Sequence, residues 1–182
     1  KNLVKIFNSH KLYIFDCEMI TVHGGSLRLF VSKYDYERTE NVENIIELEE
    51  HENIFSHDRL ERFQEDVDSK INNFKLNLLQ LKKQYTHIFG YGAAAKANTL
   101  LNSAGITYRD VSGIFEKSPA KQNKFCPGSL IPIFDTNDIK KNNVKCLIVF
   151  PWNLIDEIKI QLRTSGLDHI QIINVRDLFN AN

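Results

Sequence analysis

The sequence lacks the features that mark several common protein classes. Its 23 Lys and Arg residues are balanced by 23 Asp and Glu residues, so no basic excess indicates a nucleic-acid partner. No apolar run approaches the roughly 18 residues of a membrane span. The three cysteines are odd in number and lack CxxC spacing, which favours buried thiols in a reducing compartment over disulfides or a zinc site. We therefore expect a cytoplasmic protein without nucleic-acid or membrane partners.

Several catalytic and targeting signals are also missing. The sequence contains no signal peptide, no P-loop, no paired metal ligands and no nucleophile with a base at recognisable spacing, so we expect no metal. It begins with Lys1 rather than Met, inside a segment with helical periodicity, and we expect a piece of a larger protein. Its 182 residues, 42% of them hydrophobic, are enough for one good core, with or without an appendage.

The first half of the chain predicts short elements followed by one long helix. In order, we expect a helix end over residues 1–11, a strand at 12–15, a turn at 21–26, a strand at 27–33 and a polar linker at 34–44. From His57 to Tyr85 apolar residues recur every three or four positions, which predicts a long amphipathic helix. It either packs across a domain or forms a coiled coil in a homodimer. In the second case, an alternative function is that of an interaction domain that dimerises through residues 57–85 and binds no small molecule.

The second half alternates strands with helices. Strands are predicted at residues 87–89, 111–115, 145–150 and 170–175, and helices at 93–103, 136–141 and 154–165. Strands such as Cys146–Phe150 are continuous apolar runs, as in parallel sheets covered on both faces. We therefore predict an α/β fold, a Rossmann-like doubly wound parallel sheet with helices on both faces. The Pro-rich segment 117–133 is too long for a routine connection, which favours a functional role.

A strand–turn–helix segment carries a glycine pattern. Gly90, Gly92 and Ala95 fit G-x-G-x-x-G/A in the required context. In such motifs the first glycine permits the turn, the second lets a ligand approach, and the third position allows close helix packing. The first-turn N–H groups then favour an anion, and Lys96 adds a positive charge. The alternative is a tight turn packed for its own sake.

Ligands of open parallel sheets bind at the carboxyl ends of the strands. The residues at three such ends are Gly90, Tyr91, Gly92 and Lys96; Glu116, Ser118, Lys121 and Gln122; and Trp152 and Asn153. Lys96 and Lys121 together suit a diphosphate. Glu116 stands about where a dinucleotide site places its ribose carboxylate, so a free-standing NAD-binding module is an alternative. Otherwise Glu116 pairs with Lys117 or Lys121.

Three further side chains have two interpretations each. Trp152, the only tryptophan, either stacks on a base or sugar or closes the core. Asn153 is expected to cap the next helix whatever else it does. His23, in a Gly-Gly turn, is a weak candidate for acid–base catalysis because its charge changes near neutral pH. The alternative for His23 is an ordinary surface residue.

Five segments in one order point to a known family. They are HGGSLR (23–28), GYGAAAKANTLLN (90–102), SPAKQ (118–122), PGSLIPI (127–133) and PWNLIDEI (151–158). They resemble the carboxy-terminal domain of S-adenosylmethionine (SAM)-dependent C-methyltransferases, such as those that methylate nucleotide-linked deoxysugars.

The resemblance implies a division of the chain and a role. Residues 1–35 would be the end of a SAM-methyltransferase domain, 36–85 a helical linker, and 86–182 the Rossmann-like carboxy-terminal domain. This domain would hold a nucleotide-sugar, or a related phosphorylated molecule, with the strand-end residues and Asn98. SAM would bind a methyltransferase domain outside this chain, so we expect the fragment alone to bind no cofactor and to be inactive.

The chain departs from the family pattern at several points. A glycine-rich SAM loop and the Tyr-His-Glu-His stretch of the family's catalytic base are missing. Ala97 and Asn123 stand where glycine is usual, Glu116 where Asp is usual, and Leu130 where His is frequent. The departures at Ala97, Asn123 and Leu130 put the family's contacts at these positions in doubt, and a divergent substrate is one explanation.

Overall fold

The computed structural model describes residues 1–54 and 56–180, except for the side chain of His23. It forms two compact units, one of residues 1–64 and one from residue 65 onward. None of the described helices combines the length and the apolar character of a membrane span.

The first unit is a β-hairpin packed with two helices. Its elements are α1 (Asn2–Ser9), β1 (Tyr13–Ile20), β2 (Ser26–Ser32) and α2 (Glu40–His51). The strands are antiparallel and are joined through a 3-10 turn at Val22–Gly24. Ile14, Cys17 and Val42 form a small buried cluster. The strands predicted on either side of a turn are thus confirmed.

Helix α2 corrects the expectation of a polar linker over residues 34–44. Its start is held by Asp16, whose Oδ1 accepts hydrogen bonds from the Thr39 hydroxyl and the Asn41 side-chain amide. Val42 is buried at 4% exposure. The sequence reasoning missed this helix because its apolar positions are few and are set among many charges.

Helix α3 (His57–Gln84) confirms the long amphipathic helix. Its carboxyl half carries Phe74 and Leu78, both fully buried. Between them the Asn77 side-chain amide donates to the carbonyls of Leu178 and Asn180, at 3.1 and 2.9 Å. The carboxyl-terminal part of the described chain is therefore tied to α3. Dimerisation through this helix remains a prediction.

The second unit is built on a five-stranded parallel sheet. Its elements are β3 (Ile88–Tyr91), α4 (Ala95–Ser103), β4 (Gly113–Glu116), β5 (Ile133–Asp135), β6 (Cys146–Val149), α5 (Ile155–Thr164) and β7 (Gln171–Asn174). The strand order is β5-β4-β3-β6-β7, and every neighbouring pair is parallel. The predicted Rossmann-like fold class is confirmed.

Helices cover both faces of this sheet. On one face, Leu101 of α4 and Phe74 of α3 share a buried cluster with Ile148 of β6. On the other face, Ile158 and Leu162 of α5 pack in a second cluster. Strands buried on both sides need apolar side chains at every position, which explains the continuous apolar runs.

Two local expectations in this unit need correction. The helix predicted over residues 136–141 is a single 3-10 turn, Thr136–Asp138, whose first residues are capped by the Asp135 carboxylate. Strand β5 was not predicted, because it is three residues long and follows Pro132. The segment before it is ordered by an antiparallel bridge between Phe125 and Pro132.

An ion pair fastens α3 to the segment before β4. Lys82 Nζ lies 2.8 Å from Asp110 Oδ1, and the other carboxylate oxygen accepts the Thr107 N–H. Burial raises the pKa of Asp110, but the hydrogen bonds from Lys82 and Thr107 lower it more, so the net pKa lies below its ordinary value.

We expect Asp110→Asn to reduce the free energy of unfolding at pH 7 by about 1 kcal/mol. A carboxylate with a lowered pKa stabilises the fold above its unfolded pKa of about 3.9, and this contribution is lost as the pH falls through the folded value. The difference from wild type should therefore shrink below about pH 4. Urea unfolding at several pH values measures it, with the more exposed Asp138→Asn as control. A difference that does not change with pH would contradict this explanation.

Candidate functional site

The carboxyl ends of β3 and β6 form the switch point of the sheet. These strands are neighbours, and the chain leaves β3 for α4 on one face and β6 for α5 on the other. In doubly wound sheets this divergence opens a crevice that binds ligands. The residues that follow β3 and β6 therefore lie where a ligand site is expected in this fold.

Packing against the two residues that follow β6 requires glycine at both positions of the β3–α4 turn. A Cβ atom on Gly90 would lie 2.6 Å from Cε2 of the Phe150 ring, and one on Gly92 would lie 2.7 Å from Cδ of Pro151. Gly92 also has a φ of 87°, in the left-handed region that favours glycine. The glycine pattern thus has a structural cause besides ligand approach.

The Glu116 carboxylate joins two strand-end loops. Its Oε2 accepts the N–H of Ala93 at 2.9 Å, and its Oε1 accepts the N–H of Ser118 at 3.0 Å. Lys121 Nζ lies 3.5 Å from Oε2 and donates to the Ala93 carbonyl at 2.9 Å. Both carboxylate oxygens are therefore engaged within the protein. This arrangement matches the pairing alternative and argues against a ribose-binding role for Glu116.

The remaining predicted residue of the β4 end supports the same loop. The Gln122 side-chain amide donates to the Glu116 carbonyl at 2.8 Å. Glu116, Ser118, Lys121 and Gln122 are thus brought together. Their hydrogen bonds give a short polar turn that leads from β4 into residues 117–132.

One cavity lies between the start of α4 and this loop; we call it the loop cavity. It has a volume of about 390 Å³ and is lined by Ala93–Ala95, Asn98, Lys121 and Lys124, among others. Asn98 Oδ1 is buried and has no hydrogen-bond partner among the described residues. Ala94, the N-cap position of α4, makes no side-chain cap, so the open helix end favours an anion.

A second cavity lies between α3 and α4; we call it the α3–α4 cavity. It is larger, about 550 Å³, and its walls include Ile71, Leu100 and Phe150. Trp152 also lines it, and the Lys96 ammonium lies 5.0 Å from the centroid of the Trp152 ring. That distance is typical of a cation–π contact.

The structure therefore separates the two lysines that were expected to share a diphosphate. Lys121 lines the loop cavity and Lys96 lines the α3–α4 cavity. Ala95 lines both, so the first turn of α4 stands between them. The two lysines that were predicted to form one anion site therefore line two neighbouring cavities.

Tyr91 points away from both cavities. Its ring is 4% exposed and packs in the cluster beneath α5. Burial raises the pKa of the Tyr91 hydroxyl, and the nearby Gln161 side chain offsets part of the shift, although the hydroxyl makes no hydrogen bond of good geometry to the described residues. Tyr91 is therefore a core residue in this structure.

Asn153 does not cap α5 as expected. The helix begins at Ile155 after Leu154, which makes no side-chain cap, and Asn153 is an exposed member of the preceding 3-10 turn. The backbone of His23 belongs to the 3-10 turn of the hairpin. The side chain of His23 lies outside the described residues, so its suggested catalytic role remains a prediction.

The structure shows the local environment of three residues that depart from the family pattern. Ala97 is 3% exposed on the buried side of α4. Asn123 and Leu130 have φ values of 57° and 56°, in the region that glycine adopts freely and asparagine tolerates better than leucine. Asn123 therefore occupies a left-handed turn of the kind that glycine adopts most freely. Leu130 is 57% exposed and changes the surface instead.

Sequence reasoning missed several residues that line the cavities. Lys124 and Phe125 lie in the loop cavity, and Lys70 of α3 lines the α3–α4 cavity. Lys124 and Phe125 follow the SPAKQ segment with only Asn123 between, so their position was a usable signal. Nothing in the sequence relates Lys70 to Lys96, because the packing of α3 beside α4 brings them to one cavity.

Neither the thiols nor the acidic groups add a reactive centre. Cys17, Cys126 and Cys146 are free and buried, as predicted, and burial raises the pKa of Cys146 to about 11. A thiol with that pKa is a poor nucleophile at neutral pH. Within the described chain, His57, Asp58 and Glu61 could meet at a metal ion, but all three are exposed.

The comparisons with known proteins agree with this fold and these motifs. The family profile of the C-methyltransferase C-terminal domain matches residues 21–173. The chain belongs to this family. C-methyltransferase NovU from Streptomyces niveus is 26% identical over 162 residues, which cover 86% of this chain and 38% of NovU. The resemblance found in the motifs is confirmed, and the chain spans less than half the length of this relative.

We expect Glu116→Gln to destabilise the second unit by about 1–3 kcal/mol, because an amide nitrogen would face an N–H group in place of an acceptor oxygen. Urea unfolding measures the loss, and amide exchange should quicken at Ala93 and Ser118. Glu157→Gln is the matched control, since Glu157 is 67% exposed and 3.9 Å from Lys117. Equal effects of the two substitutions would contradict a bridging role for Glu116.

We also expect Gly90→Ala to destabilise the fold by about 1–3 kcal/mol, the usual range for overpacking, because the new methyl group meets the Phe150 ring. Phe150→Leu should relieve this clash, so the double variant should lose less stability than the sum of the single variants. Urea unfolding of all four proteins gives this coupling energy. Strict additivity would show that Phe150 is not the obstacle.

Proposed function

We propose that this chain is the substrate-positioning part of a SAM-dependent C-methyltransferase that acts on a nucleotide-linked sugar or a similar phosphorylated molecule. The loop cavity would hold the diphosphate. A methyltransferase domain outside this chain would present SAM to the bound sugar.

The open start of α4 beside Lys121 is the observation that carries this proposal. The helix end has no side-chain cap and lines a cavity that also contains Lys121 and Lys124. First-turn N–H groups and ammonium groups are the usual partners of phosphate oxygens. A diphosphate in this cavity would neutralise charges that the protein itself only partly compensates.

Two further side chains suit a nucleotide rather than a bare phosphate. Asn98 Oδ1 is a buried acceptor that has no partner among the described residues, and leaving such an atom unsatisfied is unfavourable. An N–H group of a base or a sugar hydroxyl would satisfy it. Phe125, which is 64% exposed, offers an apolar ring at the same cavity.

The strand-end positions that hold a nucleoside cofactor in a Rossmann-like fold are already used within the protein. The one strand–helix turn with a glycine pattern packs its glycines on Phe150 and Pro151. The acidic residue at the next strand end, Glu116, already accepts two backbone N–H groups. No step of methyl transfer is therefore assigned to this chain. Its contribution is to orient the substrate and exclude water, which can supply much of the rate of a two-reactant step.

We expect Lys121→Ala to weaken binding of dTDP-glucose and UDP-glucose by about 1.5–3 kcal/mol, the range for charge-assisted hydrogen bonds. Lys96→Ala should have a smaller effect, because Lys96 lines the other cavity. Calorimetric titration of the chain measures these changes, and Lys117→Ala, which removes an exposed neighbouring lysine, is the control.

Three results would count against the proposal. Unchanged affinity in Lys121→Ala would remove the diphosphate from the loop cavity. Binding of NAD with no binding of nucleotide-sugars would favour the dinucleotide alternative. Methyl transfer from SAM to a keto-sugar nucleotide by this chain alone would show that it contains the whole active site.

A further inference from the structure

The α3–α4 cavity is a separate site whose chemistry differs from that of the loop cavity. Its volume of about 550 Å³ falls in the range of small-molecule pockets. The walls come from two helices and from the ends of β6 and β7, through residues such as Ile71, Leu100, Phe150 and Val175. The interior is therefore almost entirely apolar.

The charged residues of this cavity are all of one sign. Lys70 and Lys96 line it, both are exposed, and none of the lining residues is acidic. Among the described residues neither ammonium group forms an ion pair, and Lys96 lies over the Trp152 ring. An apolar interior with two unneutralised cations at its solvent side is complementary to an apolar molecule that carries a negative charge.

We propose that the α3–α4 cavity binds an organic anion with an apolar body and a single carboxylate, such as a medium-chain fatty acid or an aryl-alkyl acid. The body would fill the space between α3 and α4. The carboxylate would be held by Lys70 and Lys96. The start of α4, which also lines the cavity, adds a favourable dipole for negative charge.

Trp152 provides a direct reporter for this site. It is the only tryptophan in the chain and lines the cavity, so its fluorescence responds to an occupant without any added label. Decanoate is the first probe, below the concentration at which it forms micelles. Indole-free 4-phenylbutyrate is the second, and it distinguishes an aryl body from an alkyl one.

We expect saturable 1:1 binding of decanoate or phenylbutyrate, seen as a change in Trp152 fluorescence and confirmed by calorimetry. Decanol should bind more weakly, and decyltrimethylammonium more weakly still. The double variant Lys70→Met/Lys96→Met keeps the apolar stems and should lose about tenfold in decanoate affinity, a typical loss for two partly exposed charge pairs. Its affinity for decanol should not change. Lys83→Met, on α3 outside the cavity, should behave as wild type.

Four results would overturn the inference. One is the absence of saturable binding by both anions. The second is equal affinity for decanoate, decanol and decyltrimethylammonium. The third is unchanged decanoate affinity in the double variant with native circular dichroism. The last is displacement of decanoate by UDP, which would assign the cavity to the nucleotide instead. If the double variant fails to fold, weaker decanoate binding to wild type at high salt tests the same charge attraction.

Discussion

The arrangement of the strand ends depends on one partly buried carboxylate. Glu116 accepts an N–H from the turn that enters α4 and an N–H from the loop that leaves β4. Its side chain is only 13% exposed, so these bonds are shielded from water and are correspondingly strong. Lys121 completes the unit through the Ala93 carbonyl. The hydrogen bonds of Glu116 and Lys121 therefore hold both walls of the loop cavity in place.

A second constraint decides where a ligand can fit. At the switch point, the Phe150 N–H donates to the Tyr91 carbonyl, while Pro151 packs against Gly92. The crevice that doubly wound sheets usually offer is thus closely packed between β3 and β6. Space is left instead on either side of the first turn of α4, where the loop cavity and the α3–α4 cavity lie.

Much of the fold was predictable because its signals are local. The apolar runs of β3 and β6, the glycine turn and the periodicity of α3 each lie within a short stretch of sequence. Strand β5 and helix α2 were missed for the opposite reason. The three residues of β5 become a strand by pairing with β4, and α2 is anchored by Asp16, which lies far from it in sequence. Tertiary contacts decide such elements.

The candidate site was predictable only in part, and the two lysines show why. Strand-end logic correctly brings Glu116, Ser118, Lys121 and Gln122 together. It does not specify the direction of a side chain on the first turn of a helix. Lys96 turns toward Trp152, away from the cavity that Lys121 lines. That choice depends on how α3 and α4 pack, which neither segment specifies alone.

The departures from the family pattern fall into two groups with different consequences. Ala97 and Asn123 replace glycines, yet Ala97 is accommodated in the core and Asn123 keeps the left-handed turn. These changes leave the backbone of the site intact. Leu130 places an exposed apolar side chain where histidine is frequent, in a loop bounded by Cys126 and Ile131. A backbone that tolerates different surface side chains lets one fold present different groups to its surroundings. At these positions Ala97 and Asn123 fit the backbone that the structure shows, and Leu130 alters the exposed surface of the loop.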